Sequence, residues 1–169
     1  HYSMAVTEAG GAYSWGRNRD YCLGHDPHEL LKGPYRGPEP PPTHAALEGW
    51  SLRPAHIWRL QHLHVVSVAA GHMHSLALAE QQAGGLETRV VFSFGSEVRD
   101  GRLGLDRRSP DPRGSPTRPT CIEHLLGKRV VAVAVGAEYS LAVTDGGDVY
   151  SWGDGRYGQL GHNPYLEKV

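Results

Sequence analysis

Cysteine is nearly absent from this 169-residue chain, with only Cys22 and Cys121 present. Two thiols make neither a disulfide framework nor a four-thiolate metal site, and a reduced, intracellular setting is the expectation. An excess of charge of one sign is missing too. Lys and Arg number 17 against 18 Asp and Glu, a formal net charge of −1, so no global field favours nucleic acid or a membrane surface. Aromatic residues are scarce, and no apolar run approaches the length of a membrane span. The first residues carry no basic stretch followed by an apolar one, so no secretory signal is read. They also lack an initiating Met, which points to a segment of a larger protein. What is plentiful is Gly (22) and Pro (12), so turns are many. The length suits one ordinary domain core, or a piece of a larger one.

The chain repeats itself. Residues 54–78, "PAHIWRLQHLHVVSVAAGHMHSLAL", lie over residues 119–143, "PTCIEHLLGKRVVAVAVGAEYSLAV", at a constant offset of 65 without a gap. Pro54 meets Pro119, Ile57 meets Ile122, Leu60 meets Leu125, and Gly71 meets Gly136. A third copy opens the chain at Ser3-Met4-Ala5-Val6. Downstream, Tyr13-Ser14-Trp15-Gly16, Phe92-Ser93-Phe94-Gly95 and Tyr150-Ser151-Trp152-Gly153 are three versions of one motif. Each is followed by Leu-Gly, at Leu23-Gly24, Leu103-Gly104 and Leu160-Gly161.

Those copies explain away a nucleotide signature. Gly153, Gly155 and Gly158 have G-x-G-x-x-G spacing after a strand-like run. A dinucleotide turn must also open a helix, with an acidic residue about 20 positions on. After Gly158 comes "QLGHNP", which is no helix start, and the other copies lose the glycine spacing at the same place. Gly153 and Gly155 are read instead as tight-turn residues with positive φ.

Each unit reads as about four short strands. "VVAVAV", "SLAVT" and "DVYSW" are strand candidates. Asp145-Gly146-Gly147 joins the last two as a hairpin turn, with Ala9-Gly10-Gly11 in its place in the first copy. The middle hairpin, between Ala79 and Val90, is seven residues longer. "PTCIEHL" is an outer strand, whose Pro suits an edge. Units of about 60–70 residues built this way make propeller-type arrays. The small residues Ala5, Ala77 and Ala142 suit crowding near the axis. Trp15, Phe94 and Trp152 pack blade against blade, since no single blade buries both its faces.

These residues resemble the repeats of the regulator of chromosome condensation family. Its pattern of P-x-x-I-x-x-L, V-x-x-V-x-x-G, H-S-L-A-L, G-x-V-Y-x-W-G and G-Q-L-G is matched in turn by five stretches. They are Pro119, Ile122 and Leu125; Val130, Val133 and Gly136; Ser140 to Val143; Gly147, Val149, Tyr150 and Trp152-Gly153; and Gly158 to Gly161. The His before Ser is kept only as His74, with Tyr2 and Tyr139 in the other copies. A WD-repeat propeller fits less well, because its period is about 40–45 residues and its Trp precedes Asp. The resemblance implies an all-β fold: roughly three consecutive β-propeller blades of about four antiparallel strands, an arc of an incomplete ring. Residues 1–169 are then one propeller segment, with repeats at about 1–27, 54–105 and 119–162 and insertions at 28–53 and 106–118.

Family members include exchange factors for the small GTPase Ran, propellers attached to ubiquitin-ligase or kinase domains, and a plant ultraviolet photoreceptor. The photoreceptor's Gly-Trp-Arg-His-Thr is not matched by "GHMHS" or "GAEYS". The resemblance therefore implies a non-catalytic protein–protein interaction module or scaffold, with guanine-nucleotide exchange on a small GTPase as the alternative. Protein partners are expected, a small GTPase or a ubiquitin-pathway component among the candidates. Direct nucleic-acid binding, membrane binding, cofactor and metal are not expected. No nucleophile elbow, H-E-x-x-H or P-loop is present, and Ser3, Ser75 and Ser140 recur in step, as structural residues do. His72 and His74, spaced to share a strand face, lack a third ligand, and His74 is read as bonding a neighbouring turn.

Two insertions are individual to this chain. The Pro-rich one around Pro38–Pro42 has polyproline II character. The other, within residues 98–119, carries Arg99, Arg102, Arg107, Arg108 and Arg113, whose guanidinium forks suit carboxylates or phosphates. Asp100, Asp106 and Asp111 dilute that field. This loop is the expected partner site, with Ser109-Pro110 and Ser115-Pro116 as phosphate acceptors.

Overall fold

A computed structural model describes residues 1–18, 21–25, 50–83, 86–96, 100–105 and 118–162. These residues form three antiparallel sheets in chain order. The first holds β1 (Tyr2–Val6), β2 (Ala12–Arg17) and β3 (Trp50–His56). The second holds β4 (His64–Ala70), β5 (His74–Ala83), β6 (Leu86–Gly95) and β7 (Thr120–Cys121). The third holds β8 (Val130–Val135), β9 (Tyr139–Thr144) and β10 (Val149–Gly153). The fold class is all-β, and the sequence repeats are structural ones. Ala5 pairs with Tyr13, Ala77 with Phe92 and Ala142 with Tyr150, the same register in each sheet.

Alternation along the strands builds two cores, each lying between sheets. Side chains on a strand point to opposite faces with period two. On β5, Ala77 and Ala79 therefore join Ala12, Ile57, Leu60, Val65 and Phe94 on one side. Leu76 and Leu78 join Val91, Ile122, Leu125, Val130 and Ala142 on the other. Ile57 caps and Leu60 ends the 3-10 turn Trp58–Leu60, and both join the first core, as Ile122 and Leu125 of the turn Glu123–Leu125 join the second. The P-x-x-I-x-x-L signature is thus the wedge that seats one sheet on the next.

Several expectations change in detail. Ala77 and Ala142 are buried in the two cores and lie on the second strand of their sheets. The extra residues between Ala79 and Val90 extend the strands, with Glu80 to Ala83 paired in register against Arg89 to Leu86. Residues 120–121 close the second sheet, so sequence repeats and sheets are out of phase by one outer strand. β3 likewise begins at Trp50, inside the expected insertion. Gly153 and Gly147 have the expected positive φ, at 109° and 89°. Gly155 does not; it is small because a Cβ there would stand 3.0 Å from Leu160 Cδ1.

Candidate functional site

The polar residues that recur in every copy meet where sheets join. The Ser75 hydroxyl donates to the Cys22 carbonyl at 2.7 Å, from the second sheet to the turn of the first. Ser140 repeats this one sheet on, donating to the Arg102 carbonyl at 2.9 Å. The residue before each Ser reaches the other way. The Tyr2 hydroxyl donates to the His74 carbonyl at 2.6 Å and lies 2.8 Å from Ser75 Oγ. His74 Nε2 lies 2.9 Å from Ser140 Oγ. The Ser140 proton goes to a carbonyl, so His74 Nε2 must carry the proton it shares with Ser140. Burial, with the Arg102 cation nearby, lowers the His74 pKa to about 4. His74 therefore bonds a strand of the neighbouring sheet rather than the turn expected from the sequence, while its supposed chelating companion His72 is exposed.

A second set of serines holds each turn to its own sheet. Ser14, Ser93 and Ser151 donate to the carbonyls of Leu23, Leu103 and Leu160, each at 2.7 Å. His25 and His162 back Ser14 and Ser151 at 2.9 and 2.8 Å. Burial lowers the His25 pKa to about 4. Sequence reasoning missed this role. Its signal was a Ser-to-Leu separation of nine or ten residues in all three copies.

The joint between the second and third sheets opens into a cleft of about 520 Å³, lined by Asp100, Arg102, Glu138, Asp154 and Arg156. Two Asp-Gly-Arg tripeptides form its walls. In each, the Asp carboxylate accepts from the Arg backbone N–H at 3.1 Å and from its guanidinium, so the tripeptide closes on itself. Glu138 lies between them, 3.7 Å from Arg102 Nη2 and 3.4 Å from Arg156 Nη2. Burial alone would raise the Asp100 pKa, but hydrogen bonds from Arg102 outweigh it and hold the carboxyl low. The Arg156 hydrogen bonds lower Asp154 in the same way, and Asp154 in turn raises Arg156. Both aspartates are thus ionised at neutral pH, with no proton to donate. Such a cleft offers fixed charges of both signs to a partner surface.

Of the five arginines singled out in the sequence, Arg102 is described by the structure. It lies in the cleft wall with its side chain 3% exposed, bound to Asp100. Arg99, Arg107, Arg108 and Arg113 lie outside the described residues, as do Pro38–Pro42, Ser109 and Ser115. Neither Cys22 nor Cys121 forms a disulfide. Among the described residues no three His, Cys, Asp or Glu side chains form a metal-binding group. No described helix is long and apolar enough to cross a membrane.

Comparison with known proteins follows the same repeats. The family model for the regulator of chromosome condensation (RCC1) repeat matches residues 9–78 and 90–143, and a second model of that repeat matches 130–159. The human E3 ubiquitin-protein ligase HERC2 is 43% identical over 106 residues, 62% of this chain and 2% of that protein. Human Protein RCC2 is 34% identical over 162 residues, 96% of this chain and 25% of that protein. Among solved structures, Prp20p of Saccharomyces cerevisiae, described with its binding to Gsp1p and histones, superposes with a TM-score of 0.68. That match has 22% identity over 97% of this chain and 34% of the other, a likeness of fold. The chain thus spans a quarter or less of the curated relatives named here.

Proposed function

Because the chain belongs to the regulator of chromosome condensation (RCC1) repeat family, we propose that it is a protein-recognition module whose contact surface is the charged cleft and the Arg-rich insertion that continues from it along the chain. One observation carries this reading: the recurring Ser and His side chains are committed to joints and turns, while five charged groups, Asp100, Arg102, Glu138, Asp154 and Arg156, line one open cleft. Residues 1–169 act together as one propeller segment, and Asp100 to Leu105 lead from the cleft wall into the insertion. Arg107, Arg108 and Arg113 extend the contact on that insertion together with Arg99, and Arg102 orders the wall from which it leaves. The setting is intracellular, in keeping with two cysteines that form no disulfide. The partner is a protein, with a ubiquitin-pathway component or a small GTPase as the first candidates to test.

The test is recovery of partners from cell extract by the complete parent protein. Variants are the triple substitution of Arg107, Arg108 and Arg113 by Ala, and Glu138→Lys in the cleft. Loss of the same partner with both variants supports the reading. Recovery unchanged by either places the contact on another surface. A small GTPase recovered preferentially in the absence of nucleotide makes guanine-nucleotide exchange the function.

A further inference from the structure

A joint between sheets closes without the charges that line the cleft. The joint between the first and second sheets uses the same backbone and serine bonds as the joint between the second and third. The Ser96 N–H donates to the Met73 carbonyl at 2.8 Å, as the Asp154 N–H donates to the Glu138 carbonyl at 2.9 Å. Ser75 donates to the Cys22 carbonyl as Ser140 donates to the Arg102 carbonyl. Cys22, Met73 and Ser96 therefore stand at the places that Arg102, Glu138 and Asp154 hold one sheet on, with no charge among them. The charges of the cleft are thus an addition to the joint, not a requirement of it.

Those charges do not balance. Three carboxylates, Asp100, Glu138 and Asp154, face two guanidiniums, Arg102 and Arg156. Each guanidinium is gripped by its own aspartate. Arg102 Nε reaches both Asp100 oxygens at 2.9 Å, and Arg156 reaches Asp154 through Nε at 2.9 Å and Nη2 at 3.0 Å. Among the described residues of the cleft, Glu138 is the carboxylate left over. Its contacts to the two arginines, at 3.7 and 3.4 Å, are longer than the about 2.7–2.9 Å of a charge-assisted hydrogen bond. Its side chain is 39% exposed. Gly153 and Gly155 line the same cleft without side chains of their own, which leaves room beside it.

We infer that the cleft receives a cationic side chain, lysine or arginine, of the protein partner, with Glu138 as its counter-charge. This rests on the reading of the cleft as a contact surface and names the chemistry that enters it. A cation there supplies the missing third positive charge. An anionic side chain would instead bring a fourth carboxylate against three, and like charges brought together oppose binding.

Saturation-transfer difference NMR tests this on the complete parent protein, because it reads weak contacts from the side of the ligand. The probes are the Nα-acetyl methylamides of lysine, arginine and glutamate. Saturation is expected on the side-chain methylenes of lysine, arginine or both, which tells the two apart, and not on those of glutamate. Glu138→Gln should weaken the signal about two- to fivefold, as for loss of a half-exposed ion pair. Glu80→Gln is the control. Glu80 is about as exposed and also meets an arginine, Arg89 at 3.3 Å, but it does not line the cleft, so the signal should not change. Circular dichroism verifies the fold of both variants. Four outcomes overturn the inference: no saturation of either cationic probe, saturation that Glu138→Gln leaves unchanged, an equal loss with Glu80→Gln, or stronger saturation of the glutamate probe. Recovery from extract with Glu138→Lys separates such a failure from failure of the contact surface itself. Partner loss there rejects only the cationic occupant, whereas unchanged recovery rejects the cleft as well.

Discussion

Gly104 lies beneath the indole of Trp152, so that a Cβ on Gly104 would stand 2.7 Å from Nε1. The turn of the second sheet is thereby pressed onto the aromatic of the third, and Gly24 is pressed onto Phe94 in the same way, at 2.9 Å. At Gly104 the indole N–H also donates to the Arg102 carbonyl at 3.0 Å. Both the close approach and the φ of +63° require glycine there. Gly101, three residues earlier, has φ +76° but open space around its α-carbon. Gly104→Ala should cost about 2–4 kcal/mol, combining left-handed strain with overpacking. Gly101→Ala should cost about 1–2 kcal/mol, from strain alone. Urea unfolding of the two variants checks the difference, and equal losses would remove the packing argument.

Ser140 is the hinge of the joint one strand further in. It receives from His74 and gives to Arg102, both at 2.9 Å, within a fully buried site. Ser140→Ala leaves the His74 donor without its partner, a loss of about 1–3 kcal/mol. His74→Ala should lose part of the same energy, so the double variant should cost less than the sum of the singles. Strict additivity in a double-mutant cycle would mean that the two side chains do not couple.

Much of this was legible in the sequence, and the reason is periodicity. A gapless offset of 65 carried Ile57, Leu60, Val65 and Ala77 onto Ile122, Leu125, Val130 and Ala142, and the structure places each set in its own core. The cleft was not legible, because it is where the copies stop being periodic. Arg102 immediately precedes its Leu-Gly, whereas Arg156 stands four residues before its own. Aligning copies therefore hides the fact that both belong to Asp-Gly-Arg. Burial of Arg102 was hidden for a related reason. In an insertion rich in Arg and Asp, a solvated loop is the ordinary expectation, and only the fold shows that Glu138 of the next sheet approaches one of those arginines.

Acid should loosen the joint held by His74 and the turn backed by His25. His25 and His74 each titrate near 4 in the folded chain, against an ordinary value of 6.5. Between those values the unfolded chain binds more protons, so stability rises with pH across the window. It is complete above about pH 6.5 and is lost as pH falls towards 4. Each histidine accounts for about 3 kcal/mol at most. His74→Gln keeps a donor for Ser140 yet cannot titrate. Its unfolding free energy should fall less steeply between pH 6.5 and 4 than that of the native chain. Superimposable pH profiles would mean that His74 does not carry the linkage.

The same tripeptide should answer differently to the same substitution. Arg102 and Arg156 each close an Asp-Gly-Arg turn and each approach Glu138. Their side chains are 3% and 72% exposed. Removing Arg102 strands Asp100, itself 17% exposed, beside the joint. Breaking a pair out of reach of solvent is costly, and the partial access of Asp100 to water moderates it to about 2–3 kcal/mol. Arg102→Ala should therefore destabilise the chain at both low and high salt. Arg156→Ala removes a guanidinium that water already reaches, but it leaves the Asp154 carboxylate, 6% exposed, without its counter-charge. Water can enter the vacated cleft rim and hydrate that carboxylate, so the loss of stability should be smaller than for Arg102→Ala, while a charge is lost where a partner would meet it. If partner binding depends on the cleft, Arg156→Ala weakens recognition by more than its loss of stability accounts for. A variant that unfolds as early as Arg102→Ala yet binds normally would reverse that assignment and make Arg156 a structural residue.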